Sequence, residues 1–274
     1  MDLLPPLAAL AFPEIDPVLF SLGPLAIRWY ALAYVVGLLL GWLYVRRLNA
    51  QWAKTMQRED IDDLLVWVTV GVLLGGRLGY VLFYNLPYYA GNPLAALAIW
   101  QGGMSFHGGL LGVVLASVLF ARRRGVSLLA LSDLLACATP IGLFLGRLAN
   151  FANGELFGRT SDVAWAVVFP GGGPVGRHPS QLYEAVLEGL ALFVLLWLLS
   201  RRPGAFARRG ELTGVFLVGY ALARMVAELF REPDLQIGFL AGGSTMGQWL
   251  SLPMLAGGLY LIWRARRAQP LAPS

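Results

Sequence analysis

The sequence predicts an all-α polytopic membrane protein. It should have about seven transmembrane helices, an outside N-terminus, a cytoplasmic C-terminus and a small periplasmic or extracellular head containing some β structure. Three observations predict this. Hydrophobic residues make up 57% of the 274 and charged residues only 14%, where soluble domains carry about 25% charged; mean hydropathy is +0.64. Seven stretches reach the roughly 20 apolar residues that a spanning helix needs. The basic residues fall on alternate connections between them, as the positive-inside rule requires.

The elements follow in order. Residues 1–24 are apolar but broken by Pro5, Pro6, Pro13, Pro17 and Pro24, with no basic n-region. They read as a surface-lying arm and not a signal peptide. The spans are expected near 25–45, 62–84, 104–121, 127–148, 181–200, 211–230 and 246–263. Arg46, Arg47, Lys54 and Arg58 follow the first span, and Arg122, Arg123 and Arg124 the third. Arg201, Arg202, Arg208 and Arg209 follow the fifth, and Arg264, Arg266 and Arg267 the seventh. Fourteen of the 21 Lys and Arg therefore mark one side. This accounts for the net charge of +5 without nucleic acid. "LNAQWAKTMQREDI" (48–61) is expected as an interfacial helix with Trp52 and Met56 one turn apart. Residues 149–180 form the longest outer loop, inserted between spans 4 and 5 of a single membrane domain. Within it "VAWAVVFP" (163–170) predicts a strand and the following glycines a turn.

Arg28, Arg77, Arg147, Arg159, Arg177, Arg224 and Arg231 do not belong to the basic connections. Arg159 and Arg177 lie in the outer loop and need only be solvated. The other five lie within or at the edge of spans, where an arginine costs about 2.5–3.5 kcal/mol at the bilayer centre. Such residues face a bundle interior or cavity. On the charge-derived orientation Arg147, His107, Tyr220, Arg224, Glu228 and Arg231 all map to the outer half, while the inner halves read as almost purely apolar. Tyr220, Arg224 and Glu228 repeat every four residues, with Arg231 three further on, so one helical stripe carries them. Arginine matches phosphate bidentately, and a membrane-embedded phosphate is most simply a phospholipid headgroup. Arg147 and Asn150 share the last turn of span 4, and Asn153 and Gly154 suit its C-cap. His107 sits among four glycines in "WQGGMSFHGGLLG" (100–112), which permit close helix packing or close approach of a ligand. His107 or Tyr220 is suited to move a proton.

Other features carry less. "GRHPSQLYEA" (176–185) reads as a structural junction, with Ser180 and Glu184 ordinary first-turn residues. The single cysteine, Cys137, excludes an internal disulfide and reads as a small buried hydrophobe. The two histidines are far apart and lack ligand spacing, so no metal or cofactor is expected. Zinc-protease, serine-hydrolase and thiol-redox motifs are missing. These residues imply a phospholipid-handling enzyme at the outer leaflet. An anionic-lipid transporter or flippase would use the same arginines but would need polar groups from both sides. A seven-helix receptor or scaffold would not need His107, Arg147 and Tyr220 at one depth.

"GRLANFANGELFG" (146–158) resembles the Gly-Arg-x-x-Asn-Phe-x-Asn-x-Glu-x-x-Gly motif of bacterial prolipoprotein diacylglyceryl transferases. "IRWYALAY" (27–34), "GGMSFHGG" (102–109), "RHPSQLYEA" (177–185) and "GYALARMVAELFREPD" (219–234) resemble further segments of that family, in its order. The resemblance implies transfer of the diacylglyceryl group of phosphatidylglycerol to the lipobox cysteine thiol of a prolipoprotein signal peptide, in the bacterial inner membrane. It implies that Arg147 and Arg224 bind the headgroup phosphate and stabilise the departing charge. His107 and Tyr220 become the proton-handling candidates. Asn150, Glu155 and Gly158 shape the site, Glu228 orients Arg224, and Tyr30 and Arg231 line the cavity. Arg28 departs from the pattern, since an uncharged residue or His is expected before Trp29-Tyr30.

Overall fold

A computed structural model describes residues 9–13, 15–16, 18–22, 25–233 and 238–268. The expected arm over 1–24 thus lies partly outside the described residues. The chain forms two compact units: Val45–Leu134, and the residues up to Tyr44 together with those from Leu135 onward.

The first unit begins in the last turn of α1 (Trp29–Leu48). The expected interfacial helix over 48–61 does not form as one helix. A π-turn spans Asn49–Ala53, Lys54 turns left-handed at φ 48°, and α2 starts only at Arg58. Asn49 causes the break: its Nδ2 donates to the Met56 carbonyl (2.7 Å), and its Oδ1 accepts from the Thr55 and Met56 amides (2.9 and 3.2 Å). α2 (Arg58–Phe83) packs on α4 (Phe106–Arg124) through glycines spaced by four: Gly71, Gly75 and Gly79 against Gly108 and Gly112. A Cβ on Gly79 would fall 2.8 Å from the Gly108 Cα, and one on Gly75 2.8 Å from the Gly112 Cα. Backbones this close give the dispersion contact that associates helices in lipid. Between the two helices lie α3 (Leu86–Gly91) and two 3-10 turns. Arg77, only 4% exposed, ties them down by donating to the carbonyls of Ala95, Ala96, Ala98, Gly102 and Gly103. Its charge is met by backbone dipoles, so it is a structural clamp.

The second unit holds the short strands. β1 (Leu10–Ala11) runs parallel to β4 (Val167–Val168), and β2 (Val18–Leu22) forms a hairpin with β3 (Leu25–Arg28). The strand expected over 163–170 thus shrinks to two residues. The first span starts at Trp29, so Arg28 ends a strand and does not open a helix. Phe12 joins Phe151 and Phe169 (ring centroids 5.7 and 5.4 Å), which pins the N-terminal segment to the end of α5 and the residues after it.

α5 (Leu128–Ala152) contains Pro140. α6 (Ser180–Glu184) runs without interruption through a π-segment (Ala185–Ala191) into α7 (Leu192–Ser200). α8 (Glu211–Ala227) and α9 (Met246–Arg267) pack together, and a Cβ on Gly214 would lie 2.8 Å from the Ile262 side chain. Seven long helical stretches therefore occupy the seven expected places among the described residues. Five of them, Trp29–Ala53, Arg58–Phe83, Phe106–Arg124, Leu128–Ala152 and Ser180–Ser200, are long and apolar enough to cross a membrane.

Candidate active site

The second unit builds a buried cluster of two arginines and three glutamates from three helices. Arg147, on the penultimate turn of α5, donates from Nε to Glu184 Oε2 (2.8 Å) and from Nη2 to Glu188 Oε2 (3.3 Å). Arg224, on the last turn of α8, reaches the same Glu184 oxygen from Nη1 (3.0 Å) and Glu188 Oε1 (3.5 Å), and its Nη2 bonds Glu228. Glu184 and Glu188 are fully buried and Glu228 is 3% exposed. The two guanidinium side chains keep 17% and 12% of their surface.

Local backbone explains why these groups meet. Glu184 ends α6 and Glu188 lies within the π-segment, a conformation that recurs at functional sites. Gly189 lets α5 come close, since a Cβ there would sit 2.8 Å from the Phe144 Cα. Arg147 is one turn beyond Phe144 and so faces both carboxylates. Gly247, at the start of α9, makes room for Glu228, whose Cδ would lie 2.6 Å from an added Cβ.

The segment after α5 positions the helix ends. Gly154 turns left-handed (φ 67°), as expected of a C-cap, and Leu156 follows at φ 58°. Asn150 Nδ2 donates to Glu155 Oε1 (2.8 Å), and Asn153 Nδ2 lies 3.4 Å from the same oxygen. Gln181 Nε2 donates to the Glu155 carbonyl (2.6 Å). This fixes the Gln181 amide: a flip would set oxygen against oxygen. Three buried acceptors, Asn153 Oδ1, Gln181 Oε1 and Glu184 Oε1, find no hydrogen-bond donor among the described residues. Such atoms call for a polar ligand or water.

Gly158 acts by fit. Its N–H donates to the His178 carbonyl (2.8 Å), and a Cβ would lie 2.5 Å from the Phe230 oxygen and 2.7 Å from that of His178. Arg159 and Arg177 are not merely solvated. Arg159 donates to the Glu228 and Arg231 carbonyls (both 3.0 Å), and Arg177 to the Gly172 carbonyl (2.8 Å) and Glu232 (3.1 Å). Arg231 does not share the helical stripe of Tyr220 and Arg224, because α8 ends at Ala227; it bridges Gly158 instead.

The remaining candidates divide. Tyr220 lies within electrostatic reach of Arg147, Glu184, Glu188 and Arg224. Tyr30, on the first turn of α1, is within reach of Arg147 and Glu155, and its hydroxyl lies 3.4 Å from that of Tyr34. His107 belongs to the other unit, exposed on the first turn of α4 and edge-on to Phe106. His178 bonds the Tyr183 hydroxyl through Nδ1 (3.1 Å), and burial lowers its imidazole below the usual range.

Sequence reasoning passed over Glu184 and Glu188, although a signal was there. They are the only charged residues in the apolar stretch 181–200, four apart on one helical face. Carboxylates in such a place demand cationic partners, and Arg147 and Arg224 were the available ones. Asp133 is also fully buried in α5.

Known proteins resemble this chain over most of its length. A model of the prolipoprotein diacylglyceryl transferase family matches residues 17–264. The phosphatidylglycerol–prolipoprotein diacylglyceryl transferase of Rhodospirillum rubrum is 60% identical over 268 residues, 97% of this chain and 98% of that protein. The enzyme of the same name from Allorhizobium ampelinum is 59% identical over 268 residues, 95% and 93% of the two chains. That from Brucella abortus is 54% identical over 275 residues, 98% of each.

Proposed function

The chain belongs to the prolipoprotein diacylglyceryl transferase family, and we propose that it moves the diacylglyceryl group of phosphatidylglycerol to a lipobox cysteine of a prolipoprotein signal peptide. The thiolate attacks the glyceryl carbon that bears the phosphate. The carbon–sulfur bond forms, the carbon–oxygen bond breaks, and its electron pair leaves on glycerol phosphate. The thiol proton passes to a base and then to the leaving phosphate or to water.

The observation that carries this reading is the convergence of Arg147 and Arg224 on one carboxylate oxygen from two helices. It holds both guanidinium planes in place before substrate arrives. In this reading they grip the headgroup phosphate and take up the charge that develops on it. Arg147 Nη1 has no hydrogen-bond or ion-pair partner among the described residues and supplies the first donor. The unpaired oxygens of Asn153, Gln181 and Glu184 suit the hydroxyls of a glycerol headgroup. Tyr30, Asn150, Glu155, Gly158 and Arg231 shape the cavity, and Glu228 orients Arg224. His107 and Tyr220 are the two candidates for the proton. A thiol of pKa about 8.5 needs little help to ionise beside guanidinium groups, so the phosphate grip should matter more than the base.

The enzyme is a multi-pass membrane protein. In our reading α8 and α9 cross the bilayer along with the five longer apolar helices. The basic connections then face the cytoplasm, the segment 149–180 forms a head outside, and the site opens to the outer leaflet of the inner membrane.

The test is direct. The purified protein in phosphatidylglycerol liposomes, given a synthetic lipobox peptide, should add one diacylglyceryl mass to its cysteine. The gain should vanish with Arg147→Ala and with a serine-substituted peptide. His107→Ala and Tyr220→Phe then rank the proton carriers. A folded protein that adds no mass overturns the reading.

A further inference from the structure

At the basic end of the second unit, α7, the turn over 201–210, the start of α8 and the end of α9 enclose a cavity of about 330 Å3. Its floor is apolar, from Leu199, Leu212 and Val215. Its rim carries Arg202, Arg208 and Arg266 against one carboxylate, Glu211. Glu211 and Arg224 are thirteen residues apart on α8, about 20 Å along the axis, so this is not the arginine–glutamate cluster described above.

Charge alone would suffice for a topology signal, and a slack loop would supply it. This turn is built. Gly204 and Gly210 hold left-handed conformations at φ 73° and 93°. The Arg202 and Ala205 amides donate to the Leu199 and Arg202 carbonyls (both 3.1 Å), and those of Ala207 and Glu211 to the Gly204 and Arg208 carbonyls (both 3.0 Å). Glu211 fixes Arg266 through Nε (3.0 Å) and draws Arg208 to 3.7 Å. Arg202 has no ion-pair partner among the described residues, whereas its neighbour Arg201 lies over the Trp197 ring at 3.9 Å. The positive end of the α8 dipole adds to the field. Glu211 keeps Arg266 and Arg208 at the cavity, Arg202 has no carboxylate to compete with an incoming anion among the described residues, and guanidinium groups match phosphate oxygens bidentately.

We propose that this cavity binds a phosphate-bearing anion, supplied either by the headgroup of an anionic phospholipid in the adjoining leaflet or by free phosphate. The inference does not depend on the transferase reading, and none of its residues belongs to the proposed catalytic machinery.

Native mass spectrometry of the full chain in detergent tests it, with dioleoylphosphatidic acid as probe, phosphatidylcholine as control and inorganic phosphate as competitor. Phosphatidic acid should be retained in preference to phosphatidylcholine. Two arginines near a membrane surface contribute enough that Arg202→Gln/Arg208→Gln should weaken retention roughly thirtyfold. Glu211→Gln removes the competing carboxylate and should tighten it, a gain that misfolding cannot mimic. Transfer activity should be unchanged in all of these variants, and Arg147→Ala should lose activity while keeping the lipid. Displacement by millimolar phosphate identifies the free ion as a sufficient ligand; resistance to it assigns the lipid headgroup. Equal retention of both lipids, or retention that neither variant alters, overturns the proposal.

Discussion

Glu184→Ala should be the most damaging single change at the cluster. One oxygen of Glu184 accepts from Arg147 Nε at 2.8 Å and from Arg224 Nη1 at 3.0 Å. Its removal leaves two buried guanidinium groups sharing Glu188 and Glu228. The Glu188 contacts are long, at 3.3 and 3.5 Å, and Glu228 reaches only Arg224. Arg147 thus keeps a single weak partner. Breaking a buried pair by deleting one member costs about 3–5 kcal/mol. At about 2–4 °C per kcal/mol for a chain of this size, the melting temperature should fall by roughly 6–20 °C. Tryptophan fluorescence during thermal unfolding in detergent reads this, since the chain has nine tryptophans. Peptide lipidation should fall at least as far, because both guanidinium groups lose their orientation. Glu188→Gln is the control: its contacts are longer and both guanidinium groups keep Glu184, so the loss should be clearly smaller than for Glu184→Ala. A Glu184→Ala protein that melts within 2 °C of wild type, or a Glu188→Gln protein that is the worse of the two, refutes the reasoning.

Other outcomes follow from the same geometry. Gly189→Ala should push the π-segment off Phe144 and misplace Glu188 against Arg147, lowering kcat in the lipidation assay more than it lowers the melting temperature. Gly158→Ala should cost about 1–3 kcal/mol by overpacking against the Phe230 and His178 carbonyls, seen as an earlier melt; an unchanged melt would show that the close approach is not required. His178 has its folded-state pKa lowered by burial, so folding favours the neutral ring. That contribution is whole above the ordinary imidazole pKa of about 6.5 and is lost as pH falls through that value toward the lower folded one. A melting-temperature profile between pH 8 and 5 should therefore decline on the acid side, and His178→Gln should remove part of that decline.

The long helices were legible because lipid imposes a single requirement, twenty apolar residues with charges at the ends. The interruptions were not, because each depends on one side chain. Asn49 breaks the helix expected over 48–61 by bonding ahead to Thr55 and Met56, and an asparagine on its own does not announce that partner. The pairing of β1 with β4 joins residues more than 150 positions apart over two positions, too short for any alternation to show. Arg147 and Arg224 could be read from their cost in a membrane. Glu228 could be read as the partner of Arg224 from their i, i+4 spacing, whereas Glu184 and Glu188 come from another helix and share no local spacing with either arginine.

The three glutamates bear on mechanism. Two guanidinium groups face three carboxylates, so the cluster at rest does not offer surplus positive charge to an incoming lipid. Its benefit lies in competition. The phosphodiester of an intact lipid carries one charge spread over two free oxygens, a modest rival to carboxylates already in place. As the carbon–oxygen bond breaks, the phosphate gains a third free oxygen and a second charge. In the proposed reaction it then competes better for the same N–H groups, and Arg147 and Arg224 would shift their bonding toward it. Interaction that strengthens only as the bond breaks lowers the barrier, whereas equal binding of substrate and transition state does not. If the proposed phosphate grip holds, the glutamates around it cost ground-state affinity and leave transition-state stabilisation intact. On this argument Glu188→Gln, which removes the most weakly held competitor, should lower KM for phosphatidylglycerol while leaving kcat unchanged or reduced. An increase in KM would show that Glu188 aids lipid binding and would remove the basis for the competition.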